Sequence, residues 1–354
     1  MVNLFGMKME KQELLQHISS MSQLAGTRLF EYKGGKAEGV KAVEVRAGDL
    51  NFTVLLDRGM DIANTEFRGI PVAWMSKMGI HAPSFFENQS EQFLRSFGGG
   101  LITTCGLSQV GEPCVENGDF LGLHGRISHS PVEKYSVDEY WEGEDYLIKV
   151  TGQAREAMLY QENLVLKREI ICKYGEPKIF IHDVIENEGY QESPFMIMYH
   201  TNYGFPIVSE YSKVYSSSSE VNAYVTRPQE GGGDYKNLRK PIHDYTYECF
   251  EHKMPKEKDY AYAAIINEKM EFGIYLKYSP KELPVFSEWK MIGQQDYVVA
   301  FEPGNTLPVG RVKARKDNLL YMLKPKEKYE INLEFGFIQG QKAISNFISM
   351  INDK

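Results

Sequence analysis

Four cysteines in 354 residues are too few, and too irregularly placed, for a disulfide-built scaffold or a zinc knuckle. Cys105, Cys114, Cys172 and Cys249 make no C-x-x-C pair. Cys105 and Cys114 are near enough in sequence to bridge, but the count favours reduced thiols and a cytoplasmic protein. No stretch approaches the roughly 20 apolar residues of a membrane helix. The segment Met1 to Gln12 alternates apolar and charged residues and lacks an apolar signal core. A basic excess is also missing. The net charge of −8 argues against nucleic acid or an anionic membrane as partner, since both select a basic face. The basic runs at 313–316 and Lys324-Pro325-Lys326 are short and read as solvated turns. No H-x-H or H-E-x-x-H pattern occurs, so no metal is expected. There is no P-loop, no G-x-G-x-x-G after a strand and no serine nucleophile elbow, so no cofactor is expected either. Gly98-Gly99-Gly100 is not followed by Lys-Ser/Thr. It reads as close backbone packing, or as a cleft floor leading to Thr103-Thr104-Cys105.

What is present is mostly strand. Hydrophobic residues make up 42% of the chain and charged residues 25%, ordinary values for a globular protein. Leu14, Leu15, Ile18 and Met21 recur at helical spacing and predict a short amphipathic helix over about 10–25, ended near Gly26. Beyond it, period-two alternation predicts strands at Val40–Arg46, Asn51–Leu56, Tyr146–Val150, Leu164–Tyr174 and Lys178–Glu186. Further strands are expected at Phe195–His200, Tyr260–Asn267, Phe272–Tyr278, Tyr297–Phe301, Leu319–Leu323 and Tyr329–Phe337. A short helix over about 341–351 closes the chain. No βαβ rhythm and no solenoid or propeller repeat stands out. Residues 227–240 are polar and glycine-rich, hence a loop. The expected architecture is one mainly antiparallel β domain spanning 1–354. Its 22 Tyr and 19 Phe suit sheet faces and the walls of a cleft.

Three polar islands interrupt this pattern. Glu302 follows the apolar run Val298-Val299-Ala300-Phe301 and precedes Pro303-Gly304. A carboxylate at such a strand end, desolvated, has its pKa raised towards the range of a general base. The alternative is a turn carboxylate capping backbone amides. His200 closes the strand Phe195–Tyr199, and Asn202 projects to the same face two residues on. A protonated imidazole there can give a proton to a sugar ring oxygen; the alternative is a satisfied histidine at a strand edge. His124 lies in Leu123-His124-Gly125-Arg126, where glycine permits close approach. Arg126 either orients a hydroxyl or faces water. A fourth candidate is Leu56-Asp57-Arg58-Gly59-Met60-Asp61-Ile62. Arg58 there can fork two hydroxyls or a carboxylate, or pair with Asp57 to hold the turn. Of the other histidines, His182 reads as paired on a sheet face, His17 lies on the helix, and His243 and His252 fall in surface-like sequence. His81 precedes Ala82-Pro83 in a loop.

Together the islands resemble the galactose mutarotase-like (aldose 1-epimerase) superfamily. The strongest match is Asp183-Val184-Ile185-Glu186-Asn187 followed by Tyr199-His200-Thr201-Asn202-Tyr203-Gly204-Phe205-Pro206. Leu123-His124-Gly125 looks like the family's second active-site histidine, and Phe301-Glu302-Pro303 like its catalytic glutamate. Asp57 to Ile62, Gly99 to Gly106 and Glu288-Trp289-Lys290 are similar to a less characterised branch, known only as aldose 1-epimerase-like. The resemblance implies a β-supersandwich of large antiparallel sheets with one cleft. The G-R-x-x-N-R-I stretch of standard mutarotases is absent, and Thr201-Asn202 replaces the usual aromatic pair. Acid/base machinery therefore carries over better than sugar specificity.

On this reading the chain interconverts the anomers of a sugar or sugar derivative by opening and reclosing its ring. Glu302 is the base and His200 the acid, with no metal or cofactor. His124, Arg58, Asn202, Arg126 and Trp289 would hold the sugar. Two alternatives stay open on the same fold: a carbohydrate-binding or sensor protein without catalysis, and an isomerase or lyase for a keto or acidic sugar. A homodimer is compatible with the sequence, which sets no assembly state.

Overall fold

The computed structural model describes residues 2–4, 7–225 and 232–352. Strand dominates, in three main antiparallel sheets. The first sheet has eight strands in the order Val132–Glu142, Asp145–Ala157, Asn163–Lys173, Lys178–Asn187, Lys328–Gln339, Phe272–Tyr278, Ala261–Asn267 and Ser212–Ser216. The second has seven. Six run Glu220–Val225, Glu248–Lys253, Val285–Ile292, Tyr297–Gly304, Ser193–Tyr203 and Tyr321–Leu323, and Thr103–Leu107 also pairs with Ser193–Tyr203. Five shorter strands between Ala25–Glu31 and Ile70–Pro71 form the third.

The strands alternate buried and open positions where one face meets the core, as in Lys178–Asn187, and are buried almost throughout where both faces are covered. Ser193–Tyr203 is of the second kind, with ten of its eleven residues buried. One hydrophobic cluster draws on all three sheets, from Val45 and Val54 through Ile181 and Leu333 to Tyr199 and Phe301. A polar knot lies inside it. Arg168 clamps Asp183 through two nitrogens at 2.8 and 2.6 Å and reaches Thr104 Oγ1 at 2.9 Å. The Tyr199 hydroxyl donates to Asp183 at 2.7 Å, and Asp61 receives both the amide and the hydroxyl of Thr104. The knot thus joins all three sheets.

Several boundaries differ from the sequence expectation. The helix expected over about 10–25 is confined to Lys11–His17, with Leu14 its buried residue. Ile18 returns to extended backbone, and Ser20 caps a separate 3-10 turn at Met21–Gln23 by accepting from the Ser22 amide. A strand then begins at Ala25. The closing helix covers Gln341–Asn352 and buries Ile344, Phe347 and Ile351 on the outside of the eight-stranded sheet, against Ala264, Ile266 and Ile338. His200 and Glu302 do not end strands: Ser193–Tyr203 and Tyr297–Gly304 run past them. Pro303 does not stop its strand. It pairs with Phe286 on one side, where the neighbouring residues complete the ladder. Of the loop expected at 227–240, residues 227–231 lie outside the described residues, and 232–240 is irregular. Among the described residues no helix is long and apolar enough to cross a membrane, and the four cysteines are unpaired.

Candidate functional site

Sheet register alone brings the two principal candidates together. The pairs Met198↔Gly304 and Thr201↔Phe301 share one antiparallel register, which sets His200 opposite Glu302. Cross-strand neighbours of this kind present their side chains to the same face, within contact distance. His200 Nε2 lies 3.1 Å from Glu302 Oε1, and both side chains are more than nine-tenths buried. Thr103 flanks His200 on one side and Ser287 flanks Glu302 on the other, completing a row across four strands. Two residues along, the same face carries Asn202, Ala300, Trp289 and Cys249. Sequence proximity explains only the pairs within one strand, His200 with Asn202, Ser287 with Trp289 and Ala300 with Glu302.

The roof over this face is aromatic. The Trp289 ring stands 5.5 Å from His200, Phe97 5.1 Å and His124 5.9 Å, all edge-on. Trp74 meets Trp289 at 6.3 Å and Phe97 at 5.9 Å. The glycine run seats Trp74: a Cβ on Gly99, at φ +74°, would stand 2.4 Å from the Trp74 carbonyl oxygen. Trp74, Phe97 and Ser287 were not singled out in the sequence. A tryptophan three residues beyond a strand and a phenylalanine beside three glycines carry no spacing signal of their own.

Burial dominates the electrostatics. It pushes the Glu302 carboxyl up to about 8, with the charge of Glu288 adding to the effect. It pushes His200 down to about 3, where His124 contributes and Asn202 opposes. His124 falls to about 4 by burial alone. These directions leave the His200–Glu302 pair with one proton near neutral pH. Among the described residues, His200 Nδ1, His124 Nδ1 and Asn202 Oδ1 are buried without a hydrogen-bond partner. The Asn202 amide nitrogen donates to the carbonyls of Gly100 and His200 at 3.0 and 2.9 Å, which fixes the amide plane. Unpaired acceptors and donors beside an acid/base pair suit a hydroxyl-bearing ligand. The Tyr224 ring is half exposed, yet burial of its hydroxyl and the charge of Glu302 push its pKa well up.

Two expected sugar contacts are placed elsewhere. Arg58 is buried, and its guanidinium donates to the backbone carbonyls of Ser128, His81 and Ser96. With all three nitrogens so engaged it ties loops together beneath the site; neither the Asp57 pair nor a ligand fork forms. Asp57 instead accepts from the Lys41 amide at 2.7 Å. Arg126 is exposed and lines a different cavity. The turn explains the split: His124 at φ +60° and Gly125 at φ +74° reverse the chain between the two side chains. His252 is another correction. It is buried on the reverse face of the sheet, Nε2 3.1 Å from Glu288, not at the surface. Among the described residues no group of three or more His, Cys, Asp or Glu side chains is arranged to hold a metal ion.

A family described as a domain of unknown function (DUF4432) matches residues 37–337. No curated protein matches the sequence. Among solved structures, a protein from Klebsiella pneumoniae, provisionally described as an aldose 1-epimerase, is similar with a TM-score of 0.84 at 20% identity, over 93% of this chain and 91% of that one. A galactose mutarotase-like protein from Clostridium acetobutylicum is similar at a TM-score of 0.61 and 12% identity, covering 90% of this chain and 100% of its own. A galactose 1-epimerase from Lactobacillus acidophilus gives 0.58 and 14%, over 90% and 100%. At these identities the likeness is one of fold, the galactose mutarotase-like fold.

Proposed function

The chain belongs to the DUF4432 family, and from that premise and the site we propose that it is an aldose 1-epimerase-like enzyme interconverting the anomers of a small sugar. The observation that carries the reading is the buried His200–Glu302 contact at 3.1 Å under an aromatic roof. A binder has no need of an acid opposed to a base in a desolvated cleft. The description of the Lactobacillus acidophilus neighbour as a galactose 1-epimerase supports the reaction class.

Glu302 takes the proton of the anomeric hydroxyl and His200 gives one to the ring oxygen. The bond between the anomeric carbon and the ring oxygen breaks, leaving an open-chain aldehyde. Rotation about the adjacent carbon–carbon bond presents the other face, and the reverse transfers close the ring. The proton that the resting pair holds on the Glu302 side crosses the short contact to His200 before opening. Each positioned transfer contributes about 10²–10⁴-fold. His124 supports the ring oxygen or a neighbouring hydroxyl, Asn202 offers its free carbonyl oxygen, and Trp289 lies against an apolar face of the sugar.

Saturation-transfer NMR on a panel of aldoses tests this. Accelerated exchange between anomeric signals is expected with the wild type and is lost in Glu302→Gln and in His200→Asn. Sugar binding without accelerated exchange would reduce the protein to a binder, and a product with a new double bond would make it a lyase.

A further inference from the structure

On the far side of the Leu123–Arg126 turn lies a cleft that the proposed reaction does not use. A cavity of about 520 Å³ adjoins one of about 270 Å³, the two sharing Asp119, Gln161, Glu162 and Arg311 in their walls. The larger volume falls within the range of small-molecule sites. Neither cavity includes His200, Glu302 or any residue of the aromatic roof.

The lining is built of planar polar groups held from outside. Glu156, buried at the floor, accepts from the amides of Leu107 and Ser108 and from the Ser108 hydroxyl. Arg155 is fixed by Glu133, Glu188 and Asn163. Arg311 and Arg315 share Glu116 at 2.8 and 2.7 Å. Ser193 Oγ, in the smaller cavity, is buried with no partner among the described residues. The Arg126 guanidinium is exposed on the wall of the larger. At the rim Phe120 is 63% and Tyr160 91% exposed.

We propose that this two-chambered trough is a second carbohydrate site, taking a neutral, hydroxyl-rich ligand at least two rings long. Fixed donors and acceptors interleaved at the floor match hydroxyl groups, which both give and accept hydrogen bonds. Aromatic rings at the rim match the apolar faces of pyranoses. The charges decide against an anion. Arg155 is paired with both Glu133 and Glu188, Arg311 and Arg315 share the carboxylate of Glu116, and Asp119, Glu156 and Glu162 add further negative charge to the same walls.

The proposal is independent of catalysis at His200, so it is tested with the His200→Asn protein as well as the wild type. Lactose, maltose and cellobiose are titrated calorimetrically against both, and against Phe120→Ala, Tyr160→Ala and Arg126→Ala. At least one disaccharide is expected to bind wild type and His200→Asn alike. Its affinity should fall about tenfold, roughly 1.4 kcal/mol, in Phe120→Ala and Arg126→Ala. Anomer exchange of monosaccharides should be unchanged in Phe120→Ala and Tyr160→Ala. Binding of no disaccharide, or equal binding by wild type and all three variants, would overturn the proposal. So would glucose 6-phosphate binding more than about tenfold tighter than glucose in a manner lost with Arg126→Ala, which would make the trough an anion site.

Discussion

Glu302 and His200 behave as one titrating unit, because groups in contact release protons in steps that belong to the pair. The directions on the two residues bracket a singly protonated state from about 3 to about 8. If ring opening needs that shared proton, kcat/KM is level through neutral pH and falls as pH rises through about 8, when the pair loses it. A rate that climbed through the same range would instead identify a lone carboxylate base. The same group costs stability in a definite window. A carboxyl whose pKa is raised on folding binds more protons folded than unfolded, so stability declines as pH goes from 4.5 towards 8. Glu302→Gln should therefore raise Tm relative to wild type, by a margin that grows across that interval, while anomer exchange is lost. Thermal scans at several pH values check the sign.

At the scale of elements, the site is a row across four neighbouring strands and the segments that roof it. Gly99 adopts φ +74° and leaves room for the Trp74 backbone. Gly99→Ala strains that conformation and pushes Trp74 away. The expected cost is about 2 kcal/mol of stability, with a rise in KM larger than the fall in kcat, since Trp74 touches the wall and not the reacting atoms. Denaturant titration and steady-state kinetics separate the two. Much of the strand pattern was legible: Phe272–Tyr278 occupies the expected range, and Lys178–Asn187 and Lys328–Gln339 extend theirs by one to three residues. His200, Asn202, Glu302, His124 and Trp289 could be named from their local sequence. Their meeting could not, because it depends on the register of strands about 100 residues apart. The strand-end reading failed at Pro303-Gly304, where turn-forming residues sit inside a strand whose neighbours supply the ladder. Arg58 misled for the opposite reason. An arginine after a strand looks available until the carbonyls of Ser128, His81 and Ser96, from three other segments, close around it.

For the whole molecule the governing feature is the Arg168–Asp183 clamp, which holds three sheets at one point. Removing one member of a buried ion pair strands the other without water, typically at about 3–5 kcal/mol. Arg168→Met should lower stability by about that amount, read as a shift in the urea midpoint, and Asp183→Asn should follow it in direction. A double substitution of both to apolar residues should recover part of the loss, since the uncompensated charge is then gone. The sheet carries a further consequence through the Ser193–Tyr203 strand, which has partners on both edges and is buried along nearly its whole length. An amide in such a place exchanges with deuterium only when the molecule opens globally. The backbone that spaces His200 from Glu302 should thus be among the slowest-exchanging in the protein, so the contact between these two side chains is as durable as the fold itself and its loss on heating should coincide with global melting.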